Sequence, residues 1–502
     1  MITRIVGCCL TAALLLAGAI RVHGGLAWLV AAPFVVLRCR DLGWGAAIAF
    51  GAAFGAAAGA STQTGWLAET AQRYFQAAPA TAWMAASLLT VSVCAVQGAV
   101  LAAGVRCALS RRGLWAVASG GAVWAVWDRA LPEIFPYYPW PSLAAAQVDV
   151  PLALPAVGVL SSVGLTALTA AAGIALGFVL VSTDARERLR YGITYIACIA
   201  AVAGAGASVR TGHPAGTGDP RCDIEAIDAH TLGPALESYR AATTLSATTW
   251  ARKPSVVVWP ESTLPASPVI DSRLRRNLEE LSMSLAVPLV AGGPRLAWDA
   301  RWSQRRFNSA FRIEAGHAIE AYDKRRLVPF AEYWPLPWID PPPWMDSSHV
   351  ARGAAPGLFD AGGCVLGILI CFEAQDPRLA RDLARAGADA LLILTNDANV
   401  GPGGFEMEAR QARLRAAETG LAVLRAANAG RSFAAFGDGA VQSAEGGVTR
   451  VSVPAPHPAA AVSLAPWVLG LCLAVSAATL AGALLGPRAT RRRGSRVRRR
   501  ES

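Results

Sequence analysis

The chain opens as a succession of long apolar stretches separated by short polar joints, at 5–20, 25–37, 43–60, 80–105, 114–126, 152–181 and 191–209, and a last one runs over 460–485. Stretches of this length, with their charges confined to the joints, predict membrane-crossing helices, and their Gly and Ala content suits close helix packing in lipid. Between 210 and 458 the pattern shortens. Strands of four to six residues are expected at 222–227 (CDIEAI, interrupted by two acids) and, as apolar runs, at 255–259, 288–291, 365–370 and 390–394, alternating with helical stretches at 234–251, 272–285, 377–386 and 407–419. A hairpin is expected over 307–313 and 317–322, and a closing pair over 422–425 and 432–436. Such short, continuous apolar runs read as strands buried on both faces, and their alternation with helices predicts a layered α/β sandwich.

Composition supports the division. With 502 residues, 54% apolar and only 16% charged, the chain is too apolar for an ordinary soluble enzyme. The expected organisation is a transmembrane region of about seven helices at 1–209, a catalytic domain at 210–458, a C-terminal transmembrane helix at 459–486 and a basic tail at 487–502. Charge fixes the orientation. Arg38, Arg40, Arg106, Arg111, Arg112, Arg186, Arg188 and Arg190 fall in joints on one side, against Arg21, Arg73 and Arg129 on the other. The tail from Arg488 to Ser502 adds eight arginines and one glutamate to the first side, which is therefore cytoplasmic. An arginine cluster directly after an apolar span reads as a topological anchor rather than a nucleic-acid contact, so the α/β region is expected on the outer face and no nucleic acid as a partner.

Three of the ten cysteines lie in that region: Cys222, Cys364 and Cys371. Neither a CxxC pair nor a His/Cys cluster with metal-ligand spacing occurs in the sequence, so no metal and no cofactor is expected. Whether Cys222 and Cys364 pair is left open by the sequence. Cys371 is the candidate nucleophile, because the run LGILICFEAQD delivers it at the end of a strand, where the sequence turns polar. Glu261 follows VVVWP, and Lys324 sits in EAYDKRRLVPFAEYWP; each again stands just past an apolar strand. A thiol that is mostly protonated at neutral pH needs a base, and the oxyanion of a tetrahedral intermediate needs a cation and a backbone amide, here that of Phe372. Glutamate, lysine and cysteine therefore suit acyl transfer through a thioester.

The segments WPES, YDKRRLVPFAEYWP, GILICFE and LLILTNDA resemble the nitrilase superfamily, and their setting between membrane spans resembles the apolipoprotein N-acyltransferase family. That resemblance implies a multi-span α-helical membrane domain plus an αββα sandwich facing the periplasm from the bacterial inner membrane. It also implies a Glu261, Lys324, Cys371 triad, with Glu332 and Glu373 supporting the lysine and cysteine. The implied reaction takes an acyl group from a phospholipid onto the cysteine and passes it to the α-amino group of a diacylglyceryl apolipoprotein. Two departures stand out: Phe372 replaces the family's common Tyr, and Asn399-Val400-Gly401 replaces the usual Trp-Phe-Gly. The Gln-His pair expected shortly afterwards is also replaced, near Phe405 and Glu406. The altered loop is expected to shape substrate entry. A membrane-tethered nitrilase-like amidase or hydrolase would use the same three residues and give the acyl group to water, but eight spans exceed what an anchor needs. A transporter or scaffold is the remaining reading, disfavoured by the few charges inside the spans.

Overall fold

The structure is a computed structural model that describes residues 2–485 apart from 112, 135–141, 213–219, 230–234, 299–301, 339, 341–348 and 445–446. Arg112 and the arginine tail thus lie outside the described residues. The N-terminal half is a bundle of α1 (Ile2–Arg21), α2 (Ala32–Val36), α3 (Trp44–Thr62), α4 (Thr64–Tyr74), α5 (Pro79–Leu109), α6 (Leu114–Ile134), α7 (Ala153–Val181) and α8 (Ala185–Gly212). Among the described residues six helices are long and apolar enough to cross a membrane: α1, α3, α5, α7, α8 and the C-terminal helix Ala461–Leu485. Close approach between α3 and α5 rests on facing glycines, since a Cβ on Gly51 would stand 2.2 Å from the carbonyl oxygen of Gly98.

The stretch expected as a second span is not one helix. It forms a 3-10 turn at Gly24–Leu29, the five-residue α2 and a second turn at Cys39–Asp41. Pro33, in the first turn of α2, has no N–H with which to extend a helix from the preceding turn. Thirteen helical residues would in any case reach only about 20 Å, short of the roughly 30 Å apolar core of a bilayer. The segment packs along the C-terminal part of α7: Gly24 lies on Ala146 and on Gln147, which donates to Thr169, Trp28 and Ala31 lie on Gly173, and Val35 lies on Gly177. The Leu42 carbonyl then accepts from Arg106, near the far end of α5. Two 3-10 turns and a five-residue helix thus take the place of a regular span.

Beyond α8, two six-stranded sheets stack face to face. β1 (Cys222–Ile227), β2 (Val256–Val258), β3 (Leu289–Trp298), β4 (Gln304–Ile313), β5 (Glu320–Asp323) and β12 (Val448–Val453) form one sheet in the order β12-β1-β2-β3-β4-β5. β6 (Gly357–Asp360), β7 (Val365–Ile370), β8 (Ala390–Asn396), β9 (Ala422–Asn428), β10 (Phe433–Ala435) and β11 (Val441–Ser443) form the other in the order β11-β10-β9-β8-β7-β6. Alternation along the strands explains why each reads as a continuous apolar run. Val256, Val258, Ile368, Ile370, Leu392 and Leu394 meet between the sheets. Val257 and Trp259 instead face α9 (Leu236–Ala247) and α10 (Ser272–Leu285), whose Tyr239, Leu274, Leu278 and Leu281 cover them. Leu369, Leu391 and Ile393 face α11 (Pro377–Arg385) and α12 (Pro402–Thr419) through Leu379, Leu383, Ala412 and Ala416. The result is the expected αββα sandwich, followed by α13 (Ala461–Leu485).

Cys222, first in β1, and Cys364, just before β7, form a disulfide with Cα atoms 5.9 Å apart, joining the two sheets across 142 residues of sequence. The sandwich rests on the bundle through polar contacts: Arg326 donates to the Pro132 carbonyl, Arg378 pairs with Glu133 at 2.8 Å, and Arg413 pairs with Asp149 at 2.6 Å.

Candidate active site

β2, β5 and β7 each end at the same rim of the sandwich, and each delivers one candidate. Glu261, Lys324 and Cys371 all line one cavity. Cys371 ends β7 and starts a 3-10 turn, Cys371–Gln375, at φ 51°, an uncommon backbone conformation for a residue with a side chain. Ser262 at φ 60° and Phe330 at φ 62° line the same cavity, so locally strained backbone gathers there.

Lys324 is 1% exposed. Its Nζ lies 3.1 Å from Glu332 Oε1 and 3.5 Å from Glu261 Oε1. Asn308 Nδ2 donates to both acids, at 2.6 Å to Glu261 and 2.8 Å to Glu332. The Asn396 N–H donates to Glu261 Oε2 and the Val328 N–H to Glu332 Oε2. Burial alone would push the lysine down, but Glu332 and Glu261 more than offset it and hold the ammonium well above its ordinary value. Lys324 is thus held as an ammonium between two carboxylates.

Glu373 is fully buried and anchors the nucleophile's turn rather than facing the cavity. It accepts from the backbone N–H groups of Ile370, Arg325 and Arg326 and from the Tyr322 hydroxyl, all within 3.0 Å. One carboxylate thereby ties the end of β7 to the segment after Lys324, fixing cysteine and lysine relative to each other. Phe372 lines the cavity beside Cys371, with the Arg326 guanidinium 5.7 Å from its ring centre.

A residue that sequence reasoning missed completes the constellation. Glu408, on α12, places Oε1 3.7 Å and Oε2 3.9 Å from Cys371 Sγ. It is held by Thr395 at 3.2 Å and by Arg425, whose guanidinium is also clamped to Asp397 at 2.7 and 2.9 Å. In sequence Glu408 resembles a solvated helix acid. Its position four residues before Ala412 and eight before Ala416, both packed against the sheet, was the available signal.

Burial, Glu261 and Glu408 together push the Cys371 thiol well above its ordinary value, with Lys324 opposing. The resting sulfur is therefore a thiol, and attack requires a base at the moment of reaction rather than a stored thiolate. Placement of Glu261 is itself sensitive to packing. A Cβ on Gly292 would stand 2.6 Å from Glu261 Cα and 2.7 Å from the Pro260 oxygen, both backbone atoms that cannot swing aside. Gly292→Ala should displace Glu261 and slow turnover about a hundredfold in a transfer assay, with thermal melting showing the fold retained.

The altered loop meets α4. A Cβ on Gly401 would overlap Glu69, one on Gly403 would touch Trp66 at 3.0 Å, and Val400 lines the cavity. Glycines here let α4 lie directly over the site entrance.

A two-sheet αββα sandwich with a strand-end cysteine, lysine and acids, joined to membrane helices, defines a membrane-bound member of the nitrilase superfamily. The carbon-nitrogen hydrolase family model matches residues 230–454. The chain is 30% identical over 368 residues to an apolipoprotein N-acyltransferase from Allorhizobium ampelinum, covering 68% of this chain and 67% of that protein. Against apolipoprotein N-acyltransferases of Sinorhizobium medicae and Geobacter metallireducens, identity is 38% and 32%, over about a third of each chain. An amidase of the nitrilase superfamily from Nesterenkonia AN1 is a structural neighbour at 17% identity and TM-score 0.38, covering 49% of this chain and 94% of the amidase. The chain belongs to the apolipoprotein N-acyltransferase family.

Proposed function

We propose that the protein moves a fatty acyl group from a membrane phospholipid, through a thioester on Cys371, to the N-terminal amine of a diacylglyceryl-cysteine lipoprotein. The observation that carries this reading is the continuity of the cavity. About 950 Å³ in volume, it runs from Cys371, Lys324 and Glu261 to apolar walls made by Leu67 and Ala71 of α4 and Ala82, Ala85, Ala86 and Leu89 of α5. That is near the upper end of the roughly 300–1,000 Å³ typical of ligand sites. Two helices of the membrane bundle thus form part of the wall of the catalytic pocket, an arrangement suited to a lipid donor and superfluous for a hydrolase of soluble amides.

In the first half-reaction Glu261 takes the thiol proton as sulfur attacks the ester carbonyl, and returns it to the departing lysolipid oxygen. Lys324 and the Phe372 N–H offset the negative charge on the tetrahedral oxygen. Glu332 holds Lys324, and Glu373 holds the turn. In the second half-reaction the acceptor amine displaces the thiol. Purified protein in phosphatidylethanolamine vesicles bearing a labelled acyl chain, supplied with a diacylglyceryl-cysteine peptide, should form the labelled amide. Release of free fatty acid at the same rate with or without peptide would point to hydrolysis instead.

The catalytic domain, 210–458, is proposed to face the periplasm, with transmembrane regions at 1–209 and 459–486 and the tail at 487–502 in the cytoplasm. The arginine asymmetry of the joints supports this, as does a disulfide that persists only in an oxidising compartment. In intact spheroplasts, a membrane-impermeant protease should cut the sandwich and spare the tail; the reverse pattern would invert the topology.

A further inference from the structure

Two acids flank the sulfur, and they are not equivalent. Glu261 is engaged by Lys324, Asn308 and the Asn396 N–H. Glu408 has Arg425 and Thr395 on Oε2, whereas among the described residues the only hydrogen-bond partner of Oε1 is Cys371 Sγ. Acylation removes the S–H proton. It therefore leaves Glu408 Oε1 without a donor, beside the thioester and on the cavity wall, where an unpaired acceptor is costly. We propose that Glu408 is a further catalytic residue, which binds the ammonium of the incoming acceptor and takes the first of its protons.

The inference rests on the acyltransferase reading, and proton balance supports it. An acceptor that arrives as R–NH3+ and leaves as an amide gives up two protons. The first passes to the Glu408 carboxylate. The freed nitrogen lone pair then bonds to the thioester carbonyl carbon, and the C=O electrons move to oxygen beside Lys324. As the carbonyl re-forms, the C–S bond breaks and the electron pair leaves with sulfur. The second nitrogen proton passes through Glu261 to that sulfur, restoring the thiol, and Glu408 releases its proton to solvent. One carboxylate suffices for a neutral nucleophile such as water; a cationic one calls for a second.

The titratable and charged groups around Glu408 come from five elements: the Cys371 thiol after β7, Arg425 on β9, Asp397 after β8, Lys324 after β5 and Glu261 after β2. Burial, with Asp397 next, lifts its carboxyl to about 7, so it can both accept a proton and release it near neutrality. Glu408→Gln leaves the Arg425–Asp397 pair balanced in charge, so the pocket should persist.

The test separates the two half-reactions in single turnover, using labelled phosphatidylethanolamine vesicles, then either the diacylglyceryl-cysteine peptide or hydroxylamine, which is neutral at pH 7. Glu408→Gln should still form the Cys371 thioester, which serves as the folding control. Transfer to the peptide should fall about a hundredfold at pH 7 and recover towards the wild-type rate by pH 9, where the α-amine (pKa about 8) is free. Cleavage of the same thioester by hydroxylamine should stay within about threefold of wild type. Equal losses with both nucleophiles, no loss with either, or a defect confined to thioester formation would each overturn the proposal, the last by making Glu408 the base for the thiol. Absence of thioester in the wild-type protein would instead overturn the acyltransferase reading on which it rests.

Discussion

Cys371→Ala is expected to abolish acyl labelling of the protein by phospholipid and to leave no measurable transfer to a lipoprotein amine. In a two-step transfer the acyl group waits on the nucleophile before the acceptor arrives, so phospholipid alone should load the wild-type protein with a hydroxylamine-labile adduct. Among the described residues Cys371 is the only cysteine on the cavity wall. Cys8, Cys9, Cys39, Cys94, Cys107, Cys198 and Cys472 lie in the helical part of the chain, and Cys222 and Cys364 are bonded to each other. Serine at 371 would keep the shape but offer a much weaker nucleophile to the same base. Labelling that persists in Cys371→Ala would place the thioester elsewhere and dismantle the reaction scheme.

Glu261→Gln and Lys324→Met should each slow thioester formation by on the order of a hundredfold or more, but with different pH behaviour. Glutamine keeps the size of the side chain and one acceptor oxygen, enough for Asn308 or for the Asn396 N–H but not for both, while losing a proton acceptor. As pH rises, solvent takes over removal of the thiol proton, and Glu261→Gln should recover part of its rate. Lys324→Met removes the cation that sits within 3.5 Å of both Glu261 and Glu332. Higher pH ionises carboxylates and thiol further but supplies no positive charge for the tetrahedral oxygen, so no recovery is expected. Single-turnover acylation measured from pH 6 to pH 10 distinguishes them; parallel recovery in both, or in neither, would mean that base and cation are assigned wrongly.

Much of the sandwich was legible because its strands are buried on both faces. β1 and α10 match their expected bounds, Cys222–Ile227 and Ser272–Leu285. Cys371, Glu261 and Lys324 could be found because strand ends concentrate rigid side chains at one rim. Other features were hidden for identifiable reasons. β11 has three exposed residues, Val441–Ser443, and β6 only four, Gly357–Asp360, so neither carries an apolar run. β3 extends to Trp298, past its apolar core, because pairing with β4 rather than burial sustains it. α4 was passed over as a joint between spans: Glu69, Arg73 and its threonines dilute the apolar signal, yet Leu67, Thr70, Ala71 and Tyr74 form a wall of the cavity. Glu408 was missed because a helix acid announces itself only through the face it shares with Ala412 and Ala416.

The altered loop shows how a departure from family pattern reads in three dimensions. Residues 401, 403 and 404 are glycines because Glu69 and Trp66 of α4 occupy the space that side chains there would fill. Loop and helix are thus one unit at the mouth of the cavity, and a bulky residue at any of the three positions has to displace α4.

The most direct test of the central claim is mass spectrometry of lipoprotein N-termini from cells with and without this protein. With it, the N-terminal diacylglyceryl-cysteine should carry a third, amide-linked acyl chain. Without it, or with Cys371→Ala in its place, the same peptides should retain two chains and a free amine. An amide-linked chain that persists in full when the protein is absent would contradict the account.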